Sequence, residues 1–191
     1  LDASERFMRE LGTLFEKQEA AETFIDRELA RIVPKLEWVI PYLFQGRRIG
    51  YIGEPHLVPG LHELVRMLGA HLSSVILTNR PHHAKAIPES LRGPDLLVFP
   101  KMKGMMEYLE RQQGCDELNL LISHNMGITT DTPTLEFGFP SLFRHSLYER
   151  PFLGFEGAIA FIEDMANAMR MREAEVAMRQ IRSSGLGQLM G

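Results

Sequence analysis

The sequence predicts an α/β fold in which four or five mainly parallel strands are covered by helices, with a helical N-terminal segment and a long C-terminal helix. Three observations lead there. Short apolar runs ended by Gly, Pro or Asn alternate with segments of helical period, as buried parallel strands and their crossover helices do. The connections between those runs are longer than hairpins, which favours parallel pairing. The chain's 191 residues, 45% of them apolar, suffice to bury one real core.

From Ser4 to about Val33, Phe7, Leu11, Leu14, Phe15, Phe24, Ile25, Leu29 and Ile32 recur at helical spacing, with Asp2 or Ser4 available as N-cap, predicting one or two amphipathic helices. Pro34 and Pro41 are expected to bracket a shorter helical piece around Trp38. Ile49 to Gly53 reads as the first buried strand, and Leu57, Leu61, Leu64, Val65 and Leu68 trace a helix closed by Gly69. Further strands are expected at Val75 to Leu77, Leu96 to Phe99, Leu118 to Ile122 and Leu135 to Phe137, with a helix over Met102 to Gln112. The last helix is expected from about Gly157 to Ile181, with Phe161, Ile162, Met165, Ala168 and Met169 on its core face and Arg170, Arg172, Glu173 and Glu175 on its solvated face. Ile49, Tyr51, Val75, Leu77, Leu97 and Leu120 or Leu121 are expected in the core. The division is an N-terminal helical segment over 1–45, an α/β domain over 46–156, and a C-terminal helix and tail over 157–191 that complete the same domain.

Composition narrows the function classes. With 21 Lys plus Arg against 25 Asp plus Glu, a net charge of -4, the chain does not present a general nucleic-acid-binding surface. One cysteine, Cys115, excludes a disulfide framework and any metal or iron–sulfur site built wholly from this chain's thiolates, and points to a reducing compartment. No apolar run approaches the roughly 20 residues of a spanning helix, so no membrane partner and a cytoplasmic location are expected. Leu1 in place of Met, with the small, polar stretch from Ser183 to Gly191, suggests a piece of a longer protein.

In an open parallel sheet, ligands bind where the loops at the carboxyl ends of the strands converge. Those loops carry Glu54 and His56, then Arg80, His82 and His83, then His124 and Asn125, and finally Arg144 and His145. His56, His82, His124 and His145 are the histidines positioned to face a common space, although Arg80-Pro81-His82-His83 also reads as a solvated turn. Gly50-Tyr51-Ile52-Gly53 lacks the G-x-G-x-x-G order, and Glu54-Pro55 would crowd a pyrophosphate, so a dinucleotide site is rejected. Arg144 and His145 have two readings: a guanidinium and imidazole that hold an anion or a partner's carboxylates, or a tie between their loop and the last helix. The eleven Met residues read as core filler or partner-surface packing.

Gly138-Phe139-Pro140-Ser141-Leu142-Phe143-Arg144-His145, followed by Leu153-Gly154-Phe155-Glu156-Gly157-Ala158, resembles a signature of the nitrogenase component 1 family. In its beta-like branch G-F-P, a short spacer, R-H and L-G-[YF]-E-G-A lead into a long helix. The segments from Gly46 to Pro55 and from Leu120 to Asn125 resemble that family's strand and G-[DE]-P loop and its later strand and Gly/Asn-rich loop. The resemblance implies a Rossmann-like three-layer domain of an oxidoreductase subunit that helps shape a metal-cofactor pocket and a subunit interface. It also implies a homologous subunit and an ATP-dependent iron–sulfur reductase as partners, and a metal–sulfur cluster in the full-length parent with no cofactor held by this chain alone. The alternative is a domain of a non-catalytic scaffold for cofactor assembly. Two departures stand out. The family's cluster cysteines lie in an N-terminal domain absent here, and Arg144 occupies the position of the alpha-like branch's histidine ligand, with His145 offset by one. No metal ligand and no catalytic residue are therefore carried over; Glu54, His56, His124, Asn125, Arg144 and His145 remain as cofactor-binding or interface candidates.

Overall fold

A computed structural model describes residues 1–80, 87, 89–91, 96–112, 118–124, 132–138, 150–151 and 153–183. The helices are α1 (Asp2–Leu14), α2 (Gln18–Val39), α3 (Val58–Met67), α4 (Met102–Gln112) and α5 (Gly154–Ser183), and the strands are β1 (Arg48–Gly53), β2 (His71–Leu77), β3 (Leu96–Val98), β4 (Leu120–Ser123) and β5 (Thr134–Glu136). The five strands form one sheet in the order β3-β2-β1-β4-β5, and every pairing is parallel.

Strand alternation sorts side chains into two layers. On one face Ile49 and Tyr51 of β1, Val75 and Leu77 of β2, and Leu120 and Ile122 of β4 join the larger core with residues of α2, α3 and α5. On the other, Ile52, Ile76 and Leu121 pack against Met105, Tyr108 and Leu109 of α4. The result is a three-layer, Rossmann-like α/β/α domain. α4 links β3 to β4 from one side of β1 to the other, so it must cross a face of the sheet, and its buried stripe is what covers that face. Of the expected core residues only Leu97 is half-buried, because β3 lies at the sheet's edge.

The N-terminal segment departs from expectation at its prolines. Pro34 lies inside α2 without ending it. Ile32 and Leu36 on either side of it are both buried in the core, and this packing overrides the lost hydrogen bond. Pro41 does change the helix: Ile40–Phe44 is a π turn, with Gln45 N donating to Ile40 O at 3.0 Å. A proline has no N–H for the ordinary α bond, so the ladder resumes at the wider spacing. α1 starts after Leu1 with no side-chain cap, so Asp2 and Ser4 sit within its first turn instead of capping it. β2 begins at His71, four residues before the expected apolar run, since His71 of β2 already pairs with Arg48 of β1.

α5 begins at Gly154, three residues earlier than expected, and Gly154 has φ +70°, which a glycine adopts without strain. Ile162, Met165 and Met169 are buried, while Phe161 and Ala168 are half-buried against the same core. Arg170, Glu173 and Glu175 are exposed as expected. The helix is tied to its surroundings by ion pairs of Arg31 with Glu156, of Arg47 with Glu173 at 3.5 Å and of Arg150 with Asp164 at 2.9 Å.

Candidate functional site

The chain reverses its direction of travel through the sheet at β1, whose neighbours are β2 on one side and β4 on the other. That switch point leaves a crevice at the carboxyl ends of β1 and β4, where adjacent connections leave in opposite directions. Glu54 and His56 follow β1 and His124 follows β4, and the two strand ends are in register, Ile52 opposite Ser123.

The floor of the crevice is backbone held by side chains. Tyr51 is fully buried and its phenol donates to Glu54 O at 3.1 Å, which fixes the loop after β1. Burial pushes the phenol well above the usual tyrosine range, so it stays a neutral donor at any physiological pH. Gly53 must lack a side chain, because a Cβ there would run into the Tyr51 ring. From the neighbouring strand Thr78 N donates to Gly53 O at 3.0 Å, and the Thr78 hydroxyl lies 3.3 Å from the same carbonyl.

His124 sits on that threonine, its Nε2 3.4 Å from Thr78 Oγ1. If the hydroxyl proton goes to Gly53 O, the hydroxyl oxygen accepts from an Nε2–H, and that tautomer leaves Nδ1 with its lone pair. Nδ1 is buried and has no hydrogen-bond partner among the described residues. Such a nitrogen is free to accept a hydrogen bond. Gly138 packs so closely on His124 that a Cβ there would sit 3.2 Å from the His124 Cβ, and its φ of +113° suits glycine alone.

Glu54 and His56 form an ion-pair contact of 3.1 Å between Oε2 and Nδ1, with their side chains 42% and 66% exposed, so this pair belongs to the rim. Asn125, Arg144 and His145 lie outside the described residues, as do His82, His83 and Cys115. Sequence reasoning missed Tyr51 and Thr78 as site residues. Tyr51 was legible only as a core residue, and Thr78 could have been found as the polar residue that ends an apolar strand.

A metal–sulfur cluster does not fit the donor set of this chain. The sequence holds one thiol where a cluster takes about four ligands, and among the described residues no three of His, Cys, Asp and Glu converge on a metal position. The chain purified anaerobically is accordingly expected to hold less than one iron per molecule by elemental analysis. One iron or more, with a charge-transfer band that survives Cys115→Ser, would contradict that donor count. No described helix is long and apolar enough to cross a membrane.

Residues 1–170 match the model of the nitrogenase component 1 type oxidoreductase family. The chain belongs to that family. It is similar to the nitrogenase molybdenum-iron protein beta chain of Clostridium pasteurianum, with 24% identity over 180 residues that make up 88% of this chain and 38% of that protein. A solved structure of nitrogenase Cp1 at pH 6.5 superposes with a TM-score of 0.73 at 21% identity, covering 90% of this chain and 38% of that one. Nitrogenase Cp1 at pH 5 does so with a TM-score of 0.59 at 11% identity, covering 86% and 39%. At such identities the superpositions speak for the fold alone. This nitrogenase component 1 type domain therefore spans well under half the length of the proteins it resembles.

Proposed function

We propose that this chain is a domain of a nitrogenase-like oxidoreductase subunit whose strand-end crevice forms one wall of a metal-cofactor pocket beside a subunit interface. In this reading an ATP-dependent iron–sulfur reductase supplies the electrons and a homologous subunit is the partner. The observation that carries it is the crevice at the switch point, in a family of oxidoreductases, with a buried imidazole nitrogen that has no hydrogen-bond partner among the described residues. The protein ligands of a cluster come from other parts of the assembly, as the donor set requires.

This domain's own residues position and polarise. Thr78 holds the His124 ring through Nε2, so the ring keeps one orientation at the end of β4. Tyr51 keeps the loop after β1 from swinging, and the exposed Glu54–His56 pair offers charge at the rim, where it steers a partner's approach more than it adds affinity. Asn125, Arg144 and His145 keep the role at the same crevice that their sequence positions suggest.

The test uses the full gene product assembled with its homologous subunit and its reductase. His124→Ala is expected to lower ATP-dependent substrate reduction by roughly 10- to 100-fold, the scale seen when an orienting partner of a cofactor site is removed, with subunit assembly unchanged. Undiminished reduction by His124→Ala, in an assembly that reduces substrate normally, would remove the crevice from the reaction.

A further inference from the structure

On the face of the sheet that carries α3 and α5, residues of these two helices, with the start of α1 and the end of β5, line an open cavity of about 470 Å³. Small-molecule sites typically occupy roughly 300–1,000 Å³ and are mostly apolar with a few polar groups. Leu57, Leu61 and Leu64 form one wall, and Phe137, Leu153 and Phe161 form the other.

This wall is incompletely covered. Leu153 is 81% exposed, and Leu57, Leu64, Phe137 and Phe161 remain half-buried although they pack on the main core. Clustered, uncovered apolar surface of this kind marks a binding site more often than scattered single residues do. The Phe137 and Phe161 rings, with centroids 4.5 Å apart and planes tilted by 51°, offer both a face and an edge to a third ring.

The polar lining shows what charge the occupant carries. Arg150, the one basic side chain among the described lining residues, is already held by Asp164 at 2.9 Å, and Glu136 is engaged as well. The Leu1 amino group, which also lines the cavity, lies 3.7 Å from Met67 Sδ, and burial lowers its pKa from the ordinary α-amino value, so the surroundings disfavour charge. An uncharged ligand leaves the Arg150–Asp164 pair in place and asks for no charge in partly desolvated surroundings. Glycine and alanine also shape the space: a Cβ added at Gly60 in α3 would meet no atom within 4 Å, and Ala158 in α5 lines the same cavity.

We infer that the cavity between α3 and α5 is a binding site for an uncharged small molecule with an apolar, ring-bearing body. Gly138, which packs on His124, also lines this cavity, so the two places adjoin, but binding here does not depend on the role given to His124.

The experiment titrates the 191-residue chain with N-phenyl-1-naphthylamine, an uncharged aromatic probe whose fluorescence rises in apolar surroundings. The expected result is a saturable rise at one probe per chain. Gly60→Ala should bind nearly as the parent does, because a methyl takes little of the space. Gly60→Leu should weaken binding at least about tenfold, because its side chain fills the volume the probe needs, and it should fold, since leucine is the better helix former. Ala158→Leu approaches from the other wall and should act the same way. Circular dichroism establishes that each variant is folded. Absence of saturable binding to the parent chain, or binding equal to the parent's in both folded leucine variants, overturns the inference.

Discussion

Replacing Tyr51 by alanine is expected to cost about 3–5 kcal/mol of unfolding free energy, the range for deleting a fully buried aromatic side chain. Tyr51 is 1% exposed, in the central strand of the sheet, and belongs to the larger core. Tyr51→Phe keeps the packing and removes only the donor to Glu54 O, so it should cost about 1 kcal/mol. Urea unfolding of both variants separates the two contributions. The alanine variant should also speed hydrogen exchange at the Thr78 amide, whose acceptor Gly53 O ends β1 just before the loop that the phenol fixes. Equal costs for the two variants would mean that the hydrogen bond, and not the ring, holds this end of β1.

Met165→Asp should be at least as damaging, with a loss of about 4 kcal/mol or more at neutral pH. Met165 is 0% exposed, on the face of α5 that packs against the sheet, and is part of a cluster that includes Ile122 and Leu135. A carboxylate there has no water and gains no cation. Burial would raise the introduced carboxyl's folded-state pKa above its unfolded value, so the variant binds the proton more tightly when folded. Its deficit should therefore shrink as the pH falls toward about 4, where the neutral acid is populated in both states. Met165→Leu, a near volume-conserving swap, should stay within about 1.5 kcal/mol. Thermal melts at neutral and acidic pH check the sign. A Met165→Asp chain as stable as the parent would mean that α5 does not seal this face of the sheet.

How far the site was legible in the sequence depends on the reach of each signal. The loops bearing Glu54, His56 and His124 were recognisable because Gly, Pro and Asn end apolar runs, and the ends of parallel strands are where sites form. The contact of His124 with Thr78 was not recognisable. These residues stand 46 positions apart, and nothing local in either segment encodes that their strand ends flank β1 from opposite sides.

By itself the sequence determined the alternation of strand and helix, the buried stripe of α5, the span of α4 and the absence of thiols for a cluster, because period and composition are local properties carried by neighbouring residues. Its spaced motifs also determined the family. Only the tertiary structure decided the strand order β3-β2-β1-β4-β5, which places the switch point, and only it decided that α2 runs through Pro34. Both outcomes rest on contacts between distant segments. A proline's local cost in a helix is about 3 kcal/mol, and burial of Ile32 and Leu36 against the sheet outweighs it, which no window of sequence around Pro34 contains.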